Sequence, residues 1–269
     1  MKTTIQTRIN ELFENRPLDK KLMALFVTAG YPDIESTVQM VLGLEKAGAD
    51  LIELGMPFSD PLADGPTIQY SSNIAIDNGT NLDTVFKAVE EIRKKSNIPL
   101  VLMGYLNPVM HYGLEAFFAK AEESGVDGLI LPDVPVEESA LVTKLAKDHQ
   151  IDLIYLVAPN TSDERMRLID SQATGFVYCV SVTGVTGART GDEVSKSVDR
   201  FMGRVNKNIT NNPVMVGFGI KTHEDAVKIS QNCEGFIVGS ALIDNIRLNY
   251  PAAGWKDKLY EFAYRLKNG

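Results

Sequence analysis

Residues 38–54 read VQMVLGLEKAGADLIEL, and this stretch decides the fold. Residues 38–46 are helical in pattern, the AGAD turn at 47–50 is built of small residues, and residues 51–54 form a short apolar strand. A glycine near a helix end adopts the left-handed conformation that caps the last turn, so helix, turn and strand make one mechanical unit. The unit recurs as residues 114–123, SGVD at 124–127 and 128–131. It recurs again as 163–171, QATG at 172–175 and 176–180, and once more as 223–231, NCE at 232–234 and 235–238.

Further apolar runs at 22–27, 98–103, 151–157 and 213–217 fill the gaps between these units. Short, nearly continuous apolar strands belong in a parallel sheet covered on both faces. With these runs alternating with helices along 269 residues, the pattern predicts an α/β chain folded as a closed (β/α)8 TIM barrel. Residues 1–269 are expected to form a single barrel domain. A doubly wound open sheet is the alternative. Residues 2–15 predict an extra N-terminal helix with Ile5, Ile9, Leu12 and Phe13 on one face, suited to plug the bottom of the barrel. Residues 253–267 hold Trp255, Leu259, Phe262, Ala263 and Leu266 at helical spacing and read as the closing helix.

The net charge is −8, a surface that repels nucleic-acid phosphates and anionic lipid. A phosphorylated metabolite remains compatible, because backbone N–H groups bind phosphate without net positive charge. Cys179 and Cys233 lie in or beside apolar runs without metal or redox spacing and read as reduced, buried thiols. The first residues lack a signal peptide's apolar core, and no apolar run approaches the ~20 residues of a membrane span. The expected location is the cytoplasm.

In a barrel of this kind the chemistry sits at the C-terminal ends of the strands. Glu53 interrupts the apolar run LIEL. Burial disfavours its charged form and raises its pKa toward the range useful for general acid–base work. The structural alternative is a Glu bridged to a neighbouring Lys or Arg. The loop that follows, MPFSDPLADGP at 56–66, is stiffened by three prolines and displays Asp60 and Asp64. Either can be the second carboxylate facing Glu53, and either can simply fix a turn. No histidine lies close in sequence, so a metal site is not expected. Gly217 and Gly219, then Gly239 and Ser240, mark the ends of the last two strands, where barrels commonly hold phosphate. Tight turns alone are the bland reading of these glycines. The loop at 181–191 is rich in Gly and Thr and reads as a lid, with Gly187 offering an N–H to phosphate; a plain surface loop is its alternative. His111, His149 and His223 are expected on the solvated surface. No strand-end Lys suggests a Schiff base.

Residues 53–69, ELGMPFSDPLADGPTIQ, resemble the signature of the tryptophan synthase α chain family. The resemblance continues through LPDVPVEES at 131–139, SVTGVTGAR at 181–189, GFGI at 217–220 and VGSA at 238–241, and spans essentially the whole chain. It implies retro-aldol cleavage of indole-3-glycerol phosphate to indole and glyceraldehyde 3-phosphate, with no cofactor in this chain. A partner β chain is implied too, using pyridoxal phosphate to join indole to serine in an α2β2 tetramer. The resemblance makes Glu53 and Asp64 catalytic and assigns Pro57, Asp60 and Asn107 to the partner interface. Tyr178 matches a tyrosine near the substrate. Phe26, Met103, Tyr105, Ile130 and Phe218 match positions around the indole, with Met103 standing where a leucine is expected. Gly187, Gly219, Gly239 and Ser240 match a phosphate site, and Thr186 matches a lid residue that pairs with the catalytic Asp. The competing readings are a stand-alone indole-releasing lyase, a non-catalytic phosphate-binding regulatory barrel, and a sugar-phosphate isomerase.

Overall fold

The alternating apolar strands close on one another in sequence order. They are β1 (Leu22–Thr28), β2 (Leu51–Gly55), β3 (Leu100–Met103), β4 (Gly128–Ile130), β5 (Asp152–Val157), β6 (Val177–Val180), β7 (Val214–Gly217) and β8 (Gly235–Val238). Every neighbouring pair is parallel, and β8 returns to β1 to complete the barrel. The computed structural model describes residues 7–180 and 191–269.

The helices among these residues are α1 (Arg8–Glu14), α2 (Ile34–Lys46), α3 (Pro66–Asp77), α4 (Leu82–Arg93), α5 (Leu106–Tyr112), α6 (Leu114–Ser124), α7 (Ala140–Asp148), α8 (Asp163–Gln172), α9 (Gly191–Asn208), α10 (His223–Ile229), α11 (Ser240–Asn249) and α12 (Trp255–Asn268). None of them is long and apolar enough to cross a membrane. The repeat marks the helices that precede strands. Gly125 caps α6 at φ 90°, where its N–H donates to the carbonyls of Ala121 and Glu122. The strand expected at 98–103 begins only at Leu100. Pro99 has no N–H to give the ladder, although its carbonyl still accepts from Ile52 at 3.0 Å.

Two apolar layers result. The larger one lies between the sheet and the helices, with Phe86, Phe117, Met40 and Leu44 fully buried. The second fills the barrel interior with Ala24, Leu51, Val101, Ile130, Ile154, Phe176, Met215 and Ile237. Ile9 of α1 belongs to that inner layer, so the N-terminal helix does plug the bottom of the barrel. Its Cδ1 lies 2.9 Å from where a Cβ on Gly128 would stand, so glycine there makes the room. Leu12 and Phe13 pack against the same cluster; Ile5 lies outside the described residues.

The plug is tied by polar contacts as well. Thr7 donates to Asp152, and Arg8 donates to Asp127 at 2.8 Å. Asp127 also accepts from Arg93 and from the Leu100 N–H. These charges sit at the N-terminal face of the barrel, where such networks serve stability. The opposite face is left for chemistry.

Candidate active site

Glu53 stands in the middle of β2, with Phe26 of β1 and Val101 of β3 as its register partners. The side chain is only 1% exposed. Among the described residues its Oε1 has no hydrogen-bond partner, and no Lys or Arg forms an ion pair with it. Among the described residues the structural alternative, a Glu bridged to a Lys or Arg, thus has no partner. Burial alone pushes the carboxyl up to about 8. A protonated acid at neutral pH results, one that can give and take a proton.

The carbonyl of Gly55, at the end of β2, accepts from the Ala29 N–H, and the Met56 N–H donates to the Met103 carbonyl at 2.7 Å. The loop that follows is thereby anchored to both flanking strands. It separates the two aspartates that look alike in sequence. Asp60 is exposed and accepts from Ser59 Oγ at 2.5 Å. Asp64 is half-buried, and the N–H of the residue before it, Ala63, donates to the Tyr105 hydroxyl at 3.0 Å. Burial raises the Asp64 carboxyl above its ordinary value, and the nearby Tyr105 hydroxyl partly opposes the rise. Gly65 and Pro66 follow directly and start α3, with Pro66 in the first turn, where a missing N–H costs nothing.

The pocket floor and walls come from inward-facing positions of other strands. Phe26 packs over Gly55, where a Cβ would lie 2.5 Å from its Cζ. Tyr178 of β6 lies over Gly217 in the same way, at 2.5 Å from its hydroxyl. Both glycines thus give their space to an aromatic ring. Met103 and Tyr178 are half-buried and pack on the inner apolar layer. Ile130 is fully buried within that layer, so it is floor rather than wall. Phe218 is half-buried beside Phe201, with ring centroids 5.9 Å apart. Leu156 on β5 occupies the same half-buried tier as Met103 and Tyr178. Sequence reasoning passed over it, although the alternation Asp152, Ile154, Leu156 already marks it as inward-facing.

At the rim, Gly219 has φ +69° and open space where a side chain would be. Gly239 is the residue before α11, and Ser240 opens that helix at an exposed position. The first N–H groups of a helix lack internal acceptors and attract an anion. Thr186 and Gly187, together with the rest of loop 181–190, lie outside the described residues. Pro57 and Asp60 sit on the loop after β2, and Asn107 is exposed on α5. Among the described residues no three His, Cys, Asp or Glu side chains cluster as metal ligands.

The histidines differ in part from expectation. His111 is exposed. His149 is half-buried, stacked on Phe118 and 2.7 Å from Glu122, and His223 bonds the Leu266 carbonyl at 3.0 Å. Both are tied into helix packing away from the carboxylates. Cys179 and Cys233 are free and buried as expected.

Fold and carboxylates together put the chain among the (β/α)8-barrel enzymes. Within that class it belongs to the tryptophan synthase alpha chain family, whose sequence model matches residues 13–268. The tryptophan synthase alpha chain of Thermoanaerobacter sp. (strain X514) is 46% identical over 261 residues, which covers 97% of this chain and 98% of that one. The crystal structure of tryptophan synthase subunit alpha from Legionella pneumophila str. Paris superimposes with a TM-score of 0.88 at 37% identity, covering 97% of each chain. A structure of the tryptophan synthase α2β2 complex from Pyrococcus furiosus gives a TM-score of 0.81 at 38% identity, covering 91% of this chain and 97% of that one.

Proposed function

We propose that this chain is the α subunit of a tryptophan synthase, cleaving indole-3-glycerol phosphate to indole and glyceraldehyde 3-phosphate. The observation that carries the reading is Glu53, a buried carboxyl on β2 without a counter-ion among the described residues, in a chain of this family. Protonated Glu53 gives its proton to indole C3. That carbon becomes tetrahedral, and positive charge develops on the ring nitrogen. Asp64, as an anion, accepts the ring N–H and stabilises the charge. Glu53, now a carboxylate, removes the proton of the glycerol hydroxyl beside the scissile bond. The O–H electron pair forms the aldehyde carbonyl, and the C–C pair returns to the ring, so neutral indole leaves.

The remaining roles follow the substrate's parts. Flat aromatic and aliphatic surfaces from Phe26, Met103, Tyr178 and Phe218 suit the indole. Gly219, Gly239, Ser240 and the loop residue Gly187 suit the phosphate, whose binding far from the reacting bond supplies positioning energy. By the family resemblance, Thr186 pairs with Asp64. This chain needs no cofactor for that chemistry. The partner is a β chain, joined in an α2β2 assembly through the face bearing Pro57, Asp60 and Asn107, and its pyridoxal phosphate joins indole to serine. Indole is apolar and leaks from an open site, which gives direct transfer to a partner its advantage. The setting is the cytoplasm.

The test is indole release from indole-3-glycerol phosphate, measured with and without added β chain. Release that rises strongly with β chain supports the α-subunit role. Release unchanged by β chain leaves a stand-alone lyase, and no indole in either case refutes the reading.

A further inference from the structure

Asp64 is continuous with the first turn of α3, and that turn is tied to the helix that opens at Ser240. Only Gly65 and Pro66 separate Asp64 from Thr67. Gln69 Nε2 donates to the Asp64 carbonyl at 2.9 Å, and the Ile68 and Gln69 N–H groups donate to the Gly65 carbonyl at 3.1 and 3.0 Å. Pro66 has a fixed φ. The backbone of Asp64 is therefore one piece with the first turn of α3.

Thr67, half-buried in that turn, donates from its Oγ1 to Asp244 Oδ1 at 3.3 Å. Asp244 is half-buried on α11, on the same helix face as Ser240 and one turn further along. In the next turn, Arg247 lies over the Tyr70 ring, 4.8 Å from its centroid. Thr67 with Tyr70 on α3, and Asp244 with Arg247 on α11, are both spaced i, i+3, so the two helices meet along matching faces. Ser71 of α3 is held separately, its Oγ lying 2.7 Å from Thr28 Oγ1 at the end of β1. The barrel thus fixes the middle of α3, and Asp244 fixes its first turn.

We propose that Asp244 is a positioning residue for the reaction: through Thr67 it couples the phosphate end of α11 to the loop that carries Asp64, so that bound phosphate sets the Asp64 carboxylate for the indole N–H. This rests on the phosphate and Asp64 roles given above. An anion held by the first N–H groups of α11 fixes that end of the helix. The Thr67–Asp244 bond then fixes the first turn of α3 against it. Asp244 has the same sign of charge as phosphate, so its place one turn from the anion does not serve to hold the anion. A bond that served stability alone would transmit nothing when phosphate binds.

The experiment titrates inorganic phosphate into the full chain and follows backbone amides by NMR. Phosphate is expected to shift Gly239 and Ser240, where it binds, and also Ala63, Asp64 and Gly65. Thr67→Val removes the donor without changing charge. It should keep phosphate affinity within about twofold while the phosphate-induced shifts at 63–65 fall by at least about half. Asp244→Asn keeps an acceptor and should retain those shifts, whereas Asp244→Ala should lose them. Undiminished shifts at 63–65 in both Thr67→Val and Asp244→Ala overturn the proposal and leave the phosphate site standing. No shift of Gly239 and Ser240 in the unaltered chain refutes the phosphate site and the proposal with it. In complex with the β chain, kcat for indole release should fall about threefold to tenfold in Thr67→Val, the contribution of one hydrogen bond, with KM within about twofold. Asp244→Asn should restore kcat to near that of the unaltered chain. An unchanged kcat in Thr67→Val, with or without a raised KM, overturns the proposal.

Discussion

Glu53 lies beside Phe26 in the β1–β2 ladder, an acid with an aromatic ring for its register partner and no basic residue bonded to it among the described residues. The consequence is a linkage between stability and pH. Its folded pKa of about 8 stands above the ordinary value of 4.5. The protonated form is thus favoured by folding. This contribution is complete below about pH 4.5 and is lost as pH rises through about 8. Glutamine carries no such charge. Glu53→Gln is therefore expected to match the unaltered chain in urea unfolding at pH 4. At pH 9 it should exceed the unaltered chain by several kcal/mol, since each pH unit separating the folded and unfolded pKa is worth about 1.4 kcal/mol. An equal difference at both pH values would mean that Glu53 is not buried as an acid.

A second expectation concerns the space left by Gly55. Adding a Cβ there brings it to 2.5 Å from the Phe26 ring. Overpacking of this kind costs about 1–3 kcal/mol. Gly55→Ala should lower stability by that amount and weaken substrate binding. Phe26→Leu in the same background should recover part of the stability loss, a non-additivity that a double-mutant cycle measures. Strict additivity would show that the two residues do not share this space.

The two loop aspartates should separate cleanly. Asp60 is exposed and bonded to Ser59, whereas Asp64 is half-buried beside Ala63, whose N–H donates to the Tyr105 hydroxyl. Asp64→Asn is expected to lower kcat for indole release by about 10²–10³, the usual cost of losing a group that stabilises developing charge. Asp60→Asn should leave the free chain's rate within about twofold and reduce its stimulation by the β chain. Steady-state kinetics of each variant, with and without β chain, decide between the assignments; a reversed pattern would exchange the two roles.

The barrel was legible because its signals are local. Glycine caps and short apolar runs announce helix and strand within a few residues, and Ile9, Leu12 and Phe13 already show the face that enters the barrel. Glu53 was legible as a charge within an apolar run. The choice between Asp60 and Asp64 was not local, because Tyr105, whose hydroxyl accepts from the Ala63 N–H, follows β3 and meets the loop only after the barrel closes. Local reading left the pair tied, and the family resemblance alone favoured Asp64. Leu156 escaped for a similar reason, since its half-buried tier is defined by Met103 and Tyr178 across the barrel. His149 and His223 were expected in solvent because nothing nearby in sequence reveals Phe118 or the end of α12 as their neighbours.

The central claim is that Glu53 moves the proton, and one comparison tests it most directly: indole release by Glu53→Gln against the unaltered chain, with substrate binding measured by calorimetry on both. Glutamine keeps the shape and cannot transfer the proton. The account predicts release lowered by at least about 10³-fold with substrate affinity nearly unchanged. Full activity in Glu53→Gln would contradict it.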